Sequence, residues 1–362
     1  MGRSARVMGL WGLALVVAAS ACTGAGLEDV IPVPSVSPEA VNEIMADPDG
    51  IWPGGIAVLP DGSFYIVYER KEPFPVAFGR RMLDLLGPAG PEEHVAGFYN
   101  DEEDKLLAFD PGAAVTADGE LIVSWANTEL GVFLHQRHAD GTFSEAVELA
   151  PRHYTEATMA NALGRTFVIY NYVPPGDLFG EHFENEVLVQ ELFGLTDHGP
   201  QVVAGGPAGS GTDGNQFRPS ISETGGPGEL LAVWNRPSDP PGGDRTIWGA
   251  TSGDEGQTWG PPFLVASDAG NDLANPFAVN VGFAGELRVY FVSLLGEGSA
   301  NLSMVSSSDR GRTWGDIQLV PRPATARRSP ARPVFVEVDG RLVCFGSWSV
   351  KGIPTLGTYV VP

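Results

Sequence analysis

Two segments of eight residues follow one template, and their recurrence constrains the fold more than any other feature of the chain. Residues 252–259 and 307–314 both read S-x-D-x-G-x-T-W. The shared positions are Ser252, Asp254, Gly256, Thr258 and Trp259 in the first copy, and Ser307, Asp309, Gly311, Thr313 and Trp314 in the second. Self-similarity at an interval of roughly 50 residues is typical of propellers and other repeat architectures.

The fixed residues of this template suit a tight turn between two strands. An aspartate carboxylate can accept hydrogen bonds from backbone N–H groups two or three residues further on. Glycine supplies a backbone conformation that a side chain would resist. The tryptophan has an apolar body to bury and an N–H that needs a partner. We therefore predict that both segments are structural turns and lie outside any active site.

A second repeat consists of six strand pairs, each with an apolar run, a glycine turn and a second apolar run that ends in an aromatic residue. The units start at positions 53, 111, 157, 219, 276 and 333. Their second strands are predicted at residues 64–68, 121–125, 166–170, 230–234, 287–291 and 342–345. Each unit has room for two more strands, which predicts the four-stranded antiparallel blades of a β-propeller.

The two ends of this repeat carry further predictions. The last unit ends at Pro362 with room for three strands, so we expect a segment near Val30 to Val36 to supply the fourth strand and close the ring. No long helical period competes with the strands. Residues 40–46 and 80–86 are the two segments whose spacing would suit a short helix.

The S-x-D-x-G-x-T-W segments resemble Asp boxes, the BNR repeat of sialidase-type β-propellers. A weaker third copy runs from His138 to Phe143 and keeps Asp140, Gly141 and Thr142. The resemblance implies an all-β fold, a six-bladed β-propeller that occupies residues 50–362. Asp boxes also occur in propellers that are not sialidases, so the motif predicts the architecture and leaves the activity open.

The N-terminus has the features of a secretory signal. Arg3 and Arg6 precede an apolar stretch, and the small residues of Ala19-Ser20-Ala21 lead into Cys22. This ending resembles a bacterial lipobox, which implies removal of residues 1–21 and a lipid on Cys22. The apolar stretch falls short of the roughly 20 residues that a membrane-spanning helix needs. The alternative is an ordinary signal peptide and a soluble secreted protein.

If the lipobox functions, residues 22–49 are the tether, with the ring-closing strand within them, and the protein belongs to the bacterial cell envelope, facing the periplasm or the exterior. A formal net charge of −23 repels nucleic acid and anionic headgroups, so we expect no nucleic-acid partner and contact with the membrane only through the lipid. We also expect a monomer. Cys344 is the other cysteine, so no disulfide is expected. Neither zinc nor calcium ligand spacing occurs, and we predict no metal and no cofactor.

Candidate ligand-binding residues come from one position of the repeat, the residue before the proline or alanine that starts each unit. In the sialidase-type architecture this end of the innermost strand faces the central funnel. Reading the position across the six units gives Trp52, Asp110, Glu156, Arg218, Asn275 and Arg332. We predict ligand binding by Trp52, Arg218, Asn275 and Arg332, with Asp110 and Glu156 as catalytic candidates. The open alternative is a set of ion pairs around a wet channel.

The resemblance also implies a chemistry. Sialidases hold the substrate carboxylate with three arginines, and use a tyrosine nucleophile activated by a glutamate together with an aspartate acid/base. Phe217-Arg218-Pro219 resembles the family's Phe-Arg motif, although it lacks an aliphatic residue and stands in the fourth unit; Ala331-Arg332-Pro333 repeats the Arg-Pro pair. The candidates for the third arginine are Arg70 and Arg236, and those for the nucleophile are Tyr99, Tyr154, Tyr170, Tyr172 and Tyr290. The candidates for the activating glutamate are Glu156 and Glu181, and those for the aspartate acid/base are Asp101, Asp104 and Asp110.

Two functions follow from these patterns. The first is a surface-anchored propeller that recognises a glycan or another anionic ligand at the funnel; if it is an enzyme, an exo-sialidase-type glycoside hydrolase is expected. The alternative is a non-catalytic envelope propeller that binds protein or polysaccharide in assembly or adhesion. Three arginines converging on one point near a tyrosine–glutamate pair would favour the enzyme. Arginines paired with Asp110 and Glu156 would favour the alternative.

Overall fold

The computed structural model describes the following residues: 40–47, 50–71, 75–99, 105–127, 130–151, 154–172, 186–193, 196–197, 199, 201–204, 217–237, 244–281, 286–295, 299–326 and 329–361. Within these ranges every regular element is a β-strand, which confirms the all-β prediction. The two predicted short helices are wrong, because residues 42–46 and 80–82 are strands and residues 83–86 form a turn. Pairing with neighbouring strands outweighs the weak local preference for helix there.

Six antiparallel sheets form the six predicted blades, and the strands of each are given from the innermost outwards. The first blade contains β2 (Ile51–Val58), β3 (Phe64–Arg70), β4 (Val76–Met82) and β5 (Ala89–Ala96). The second contains β8 (Phe109–Val115), β9 (Leu121–Asn127), β10 (Gly131–Arg137) and β11 (Val147–Pro151). The third contains β12 (Tyr154–Ala162), β13 (Arg165–Tyr172), β14 (Glu186–Phe193) and β16 (Gln201–Ala204), with β15 (Thr196–Asp197) also paired to β14.

The remaining blades follow the same order. The fourth contains β17 (Phe217–Glu223), β18 (Leu230–Pro237), β19 (Arg245–Ser252) and β20 (Phe263–Ala266). The fifth contains β21 (Asp272–Val281), β22 (Glu286–Leu295), β23 (Ser299–Ser307) and β24 (Gln318–Leu319). The sixth contains β25 (Ala331–Val338), β26 (Arg341–Val350), β27 (Ile353–Val360) and β1 (Asn42–Ala46). A two-stranded ribbon of β6 (Phe98–Tyr99) and β7 (Lys105–Leu106) connects the first two blades. The six predicted second strands all lie within β3, β9, β13, β18, β22 and β26.

The N-terminal strand β1 occupies the outer position of the sixth blade. It pairs antiparallel with β27, Asn42 opposite Thr358 and Ala46 opposite Thr355. The predicted ring-closing segment, Val30 to Val36, lies outside the described residues, and the fourth position of the blade is taken by residues 42–46 instead. The register shifts between Glu43 and Met45, so this strand lacks the clean alternation by which a strand is recognised in sequence.

The core consists of six apolar clusters, one between each pair of neighbouring blades. The aromatic residues that end the predicted second strands are fully buried in them. They are Tyr68, Trp125, Tyr170, Trp234, Phe291 and Phe345. Because each strand is covered on both faces by a neighbouring blade, these strands read as nearly continuous apolar runs. The blade interfaces therefore hold the ring together.

Both S-x-D-x-G-x-T-W segments form turns between the third and fourth strands of a blade, at the opposite end from where the innermost strands begin. Ser252 Oγ donates to Asp254 Oδ1 at 2.8 Å and accepts from the Gly256 N–H at 2.9 Å. Asp254 accepts from the Thr258 N–H at 2.8 Å and from its hydroxyl at 2.6 Å. The second copy has the same bonds, and the third, weaker copy places Asp140 and Thr142 in the equivalent turn of the second blade.

Candidate functional site

A β-bulge interrupts the innermost strand of every blade near its first residues. In each case two residues of the inner strand lie opposite one residue of the second strand. In five blades the first bulged residue is not glycine and yet has a left-handed backbone. These residues are Asp110 (φ 45°), Glu156 (φ 52°), Arg218 (φ 49°), Asn275 (φ 53°) and Arg332 (φ 50°). Five of the six predicted positions are therefore structurally equivalent.

Trp52 does not share this position. It pairs with Glu69, and Pro53 pairs with Tyr68, so the bulged residues of the first blade are Pro53 and Gly54. The alignment of Trp52 with the other five is wrong by one residue. Proline cannot adopt a positive φ, because its ring fixes φ near −65°. In the first blade the proline occupies the first place of the bulge. In the other blades that have a proline in the bulge, it occupies the second place.

The five left-handed residues converge on the propeller axis. Together with Pro53 they line one cavity of about 60 Å³, which we call the funnel mouth. A space of this size holds a few water molecules and is too small for a sugar ring. A larger ligand would therefore contact these side chains from the open side of the funnel mouth.

Two arginines and three carboxylates form an ion-pair network in the funnel mouth. Arg332 Nη1 donates to Asp110 Oδ1 and lies 3.5 Å from Glu69 Oε2. Arg218 Nη1 lies 3.3 Å from the same Asp110 oxygen, and Arg218 Nη2 lies 3.6 Å from Glu156 Oε1. Asp110 is thus shared by both guanidinium groups. The network joins the first, second, third, fourth and sixth blades across the axis.

Carboxylates of one blade also hold the bulge of the next. The Arg218 N–H donates to Glu156 Oε2 at 2.9 Å, and the Asp110 N–H donates to Glu69 Oε2 at 3.2 Å. Asn171 Nδ2 donates to Glu156 Oε2 at 2.8 Å. The sequence reasoning missed Glu69 and Asn171. Both directly follow the aromatic residue that ends a predicted second strand, and this shared offset is the signal that could have found them.

Burial and charge shift the pKa values of these carboxylates in opposite directions. Burial alone would raise the pKa of Asp110, but the charges of Arg332 and Arg218 outweigh it and lower the pKa. Burial raises the pKa of Glu156, and Arg218 compensates only in part. Burial and the nearby charge of Asp110 raise the pKa of Glu69. Burial also lowers the pKa of Arg332 to about 10.

Asn275 lies in the funnel mouth, whereas Trp52 lies beside it and contacts one of its arginines. Within the described part of the chain, the Asn275 side-chain amide has no hydrogen-bond partner, although the residue lines the cavity. The guanidinium carbon of Arg332 lies 3.6 Å from the centre of the Trp52 ring, a close cation–π contact. Trp52 therefore fixes an arginine of the network from one residue before the bulge.

Of the side chains expected to complete a sialidase centre, Asp110 and Glu156 lie in the funnel mouth, whereas the arginine and tyrosine candidates whose side chains are described lie elsewhere. Arg70 pairs with Asp47 at 2.9 Å and with Glu92 at 3.3 Å, and Arg236 lies 5.1 Å from the centre of the Trp248 ring. Neither lines the funnel mouth, so three arginines do not converge among the described residues. Tyr170 donates to Gln190, and Tyr290 stacks on Phe335; both are buried between blades. The side chains of Tyr99, Asp101, Asp104, Tyr154, Tyr172 and Glu181 lie outside the described part.

The remaining features concern lipidation, metal ions and the membrane. Cys22 belongs to residues 1–39, which are not described. In the described ranges no three His, Cys, Asp or Glu side chains are grouped so that they could hold a metal ion. The same ranges contain no helix with the length and apolarity needed to cross a membrane.

Comparison with known proteins agrees with the architecture. Residues 228–353, which include both S-x-D-x-G-x-T-W turns, match the model of the BNR repeat-like domain family. The chain is thus a six-bladed β-propeller, and residues 228–353 are similar to the BNR repeat-like domain family. No curated protein sequence matches the chain significantly.

Several solved structures share this fold at low sequence identity. An α-L-arabinofuranosidase from Fusarium graminearum, in complex with an iminosugar inhibitor, has a TM-score of 0.64 at 13% identity over 89% of this chain and 97% of its own. An α-L-arabinanase from Penicillium chrysogenum, complexed with arabinobiose, has a TM-score of 0.62 at 15% identity, over 89% of this chain and 97% of its own. A Hadza microbial sialidase has a TM-score of 0.58 at 15% identity, over 88% of this chain and 66% of its own. At these identities the likeness shows the fold alone.

Proposed function

We propose that the protein recognises a glycan at the funnel mouth. The observation that carries this proposal is the row of five left-handed, non-glycine residues that meet at one cavity. A left-handed backbone costs an L-residue about 1–2 kcal/mol, and a bulge that served structure alone could use glycine. Strain of this kind is typical of ligand-binding sites, where it aims side chains that the surrounding fold holds in place.

The chemistry of the funnel mouth suits a polyhydroxylated ligand. Carboxylates, guanidinium groups and an amide offer both hydrogen-bond donors and acceptors to sugar hydroxyls. Arg218 and Arg332 are already compensated by Asp110, Glu156 and Glu69, so hydroxyl groups can bind there without leaving a guanidinium charge unpaired. This pairing of the arginines with the protein's own carboxylates favours glycan recognition. Sialidase catalysis would instead need three arginines that converge on one substrate carboxylate. The sugar complexes of the arabinanase and arabinofuranosidase support the proposal by analogy of fold.

Glycoside hydrolysis is the second candidate function, and one observation favours it. Arg218 contacts Asp110, whose pKa is lowered, and Glu156, whose pKa is raised. Two carboxylates with diverging pKa values can divide the work of an ionised group and a proton donor. In this candidate function Glu156 is the general acid and Asp110 the ionised partner. Glu69, whose side chain is only 2% exposed, would position them without touching the substrate.

The experiment that tests recognition is calorimetric titration of the purified full chain with arabinobiose and with 3′-sialyllactose. Asn275→Gly removes the unpartnered amide while keeping the left-handed backbone. We expect it to weaken binding of the preferred sugar about tenfold and to leave the melting temperature unchanged. The matched control is Asp339→Gly, which changes another left-handed residue (φ 50°) in a turn at the opposite end of the blades. Equal affinities for wild type and Asn275→Gly, or no binding of either sugar, would refute the site.

The hydrolase candidate has its own test on the same protein. Fluorogenic glycosides of N-acetylneuraminic acid and of arabinofuranose are incubated with wild type and with Glu156→Gln. Turnover that disappears in Glu156→Gln would support hydrolysis with Glu156 as a catalytic residue. Sugar binding without turnover by the wild type would restrict the protein to recognition.

For the N-terminus we propose lipid attachment at Cys22. Metabolic labelling with an alkyne fatty acid in a bacterial host tests this, with Cys22→Ser as the variant. We expect label on the wild type alone. Equal label on both, or release of both into the medium, would favour an ordinary signal peptide.

A further inference from the structure

Lys71 lies beside the funnel mouth in an unusual setting. It directly follows β3, and its aliphatic stem packs against the backbone of Gly50. A Cβ atom added to Gly50 would lie 3.4 Å from Lys71 Cδ. The Lys71 N–H donates to the Gly50 carbonyl at 3.3 Å. These contacts direct the ammonium onto Trp52, and Lys71 Nζ lies 3.2 Å from the centre of the indole ring.

Within the described ranges the Lys71 ammonium makes no direct ion pair, and the carboxylates of Glu69 and Asp110 attract it only from a distance. Its neighbour Arg70, by contrast, pairs with Asp47 and Glu92. An ammonium carries three N–H donors, and an indole face satisfies them only through its ring electrons. Lys71 is therefore a partly buried cation whose donors remain available to a ligand.

A second cation contacts the same ring. The Arg332 guanidinium also lies against Trp52, so two positive charges share one indole. Burial lowers the pKa of Lys71; Glu69 and Asp110 oppose this shift, whereas Arg332 and Arg218 add to it. Like charges held close together repel each other unless an anion lies between or beside them. Among the described residues the arginines pair directly with Asp110, Glu156 and Glu69, whereas Lys71 has no carboxylate in direct contact.

We propose that Lys71 and Trp52 form the subsite that binds the acidic group of a charged glycan, a carboxylate or a sulfate ester, while Arg218 and Arg332 remain with the protein's own carboxylates. This inference rests on the proposed glycan recognition at the funnel mouth and adds the class of ligand. A lysine ammonium is a point charge without the planar fork of arginine, so it accepts planar carboxylates and tetrahedral sulfates alike. The acidic group would sit beside the first blade, away from Asn275.

The lysines of this chain, Lys71, Lys105 and Lys351, allow a direct test. Reductive ¹³C-methylation keeps their charge, and Lys71→Gln assigns the Lys71 signal. The purified full chain is titrated with glucuronic acid, glucose 6-sulfate and glucose while the methyl signals are followed by NMR. We expect both acidic sugars to shift the Lys71 signal and to leave the exposed Lys351 signal in place. Glucose should leave both signals unmoved.

Affinities measured by calorimetry on unmethylated protein complete the test. We expect Lys71→Gln to weaken binding of the acidic sugars about tenfold, Lys71→Arg to restore most of it, and Lys351→Gln to have no effect. Acidic sugars that bind Lys71→Gln as tightly as wild type would overturn this inference and leave the proposed function standing. If no sugar binds the wild type, and arabinobiose and 3′-sialyllactose do not bind either, the proposed function fails and this inference fails with it.

Discussion

Arg218 Nη1 lies 3.3 Å from Asp110 Oδ1, and this contact joins the fourth blade to the second across the propeller axis. Arg332 reaches the same oxygen from the sixth blade. One aspartate therefore compensates two guanidinium groups that enter from different blades. The centre of the funnel mouth is held by this shared carboxylate, and four predictions concern this network and the ring that supports it.

Replacing Asp110 by asparagine should destabilise the protein strongly. Two partly buried guanidinium groups would lose their common counter-charge, a change that typically costs about 3–5 kcal/mol. Urea denaturation measures the loss. Because the two arginines would lack the counter-charge that they share, an external anion can replace it, and sodium sulfate should restore more stability to Asp110→Asn than to wild type at matched ionic strength. Equal sulfate effects on both proteins would contradict the shared pairing.

The raised pKa of Glu69 predicts a pH dependence of stability. Its folded-state pKa lies above its ordinary value of 4.5, so between these two values the folded protein binds more protons than the unfolded chain. The free energy of unfolding should therefore fall as pH rises through this window. Denaturation series from pH 4 to 8 should show that the free energy of unfolding falls less steeply with pH for Glu69→Gln than for wild type. Part of the fall should remain in the variant, because the pKa of Glu156 is also raised. An unchanged slope would show that Glu69 does not titrate there.

The turns between third and fourth strands should depend on their buried serine. Ser307 Oγ accepts from the Gly311 N–H at 2.8 Å and donates to Asp309 at 2.8 Å. Ser307→Ala leaves the buried Gly311 N–H without its acceptor, which should cost about 1–3 kcal/mol. The neighbouring Ser308 is exposed, and Ser308→Ala should stay within about 0.5 kcal/mol of wild type. Similar losses for both variants would refute the structural role.

The closure of the ring should depend on β1. Asn42 Nδ2 donates to the carbonyls of Leu85 and Gly87, both at 3.2 Å, so β1 also fastens the sixth blade to the first. Deletion of residues 1–47 should expose the edge of β27 and yield aggregated protein, whereas deletion of residues 1–39 should leave the propeller folded. Size-exclusion chromatography and circular dichroism distinguish the two outcomes. A monomeric, folded product of the longer deletion would show that β1 is dispensable.

The repeat made the blades and most of the funnel mouth predictable. The alternation and glycine turns of each unit are local signals, and the residue before the unit's proline marks the bulge in Asp110, Arg218, Asn275 and Arg332. The same rule failed for Trp52, because the first blade places its proline one position earlier in the bulge. Glu69, Lys71 and β1 were hidden because their roles depend on contacts between blades, which no local pattern encodes.

The most direct test of the central claim is a crystal structure of the protein soaked with the sugar for which calorimetry gives the highest affinity. We expect the sugar to lie against Asn275 and Arg332 on the open side of the funnel mouth. The axial channel widens at its other end into a cavity of about 580 Å³, lined by residues that include Asn161, Glu223 and Asn280. A sugar bound in that cavity, with the funnel mouth empty, would contradict the assignment of the ligand site.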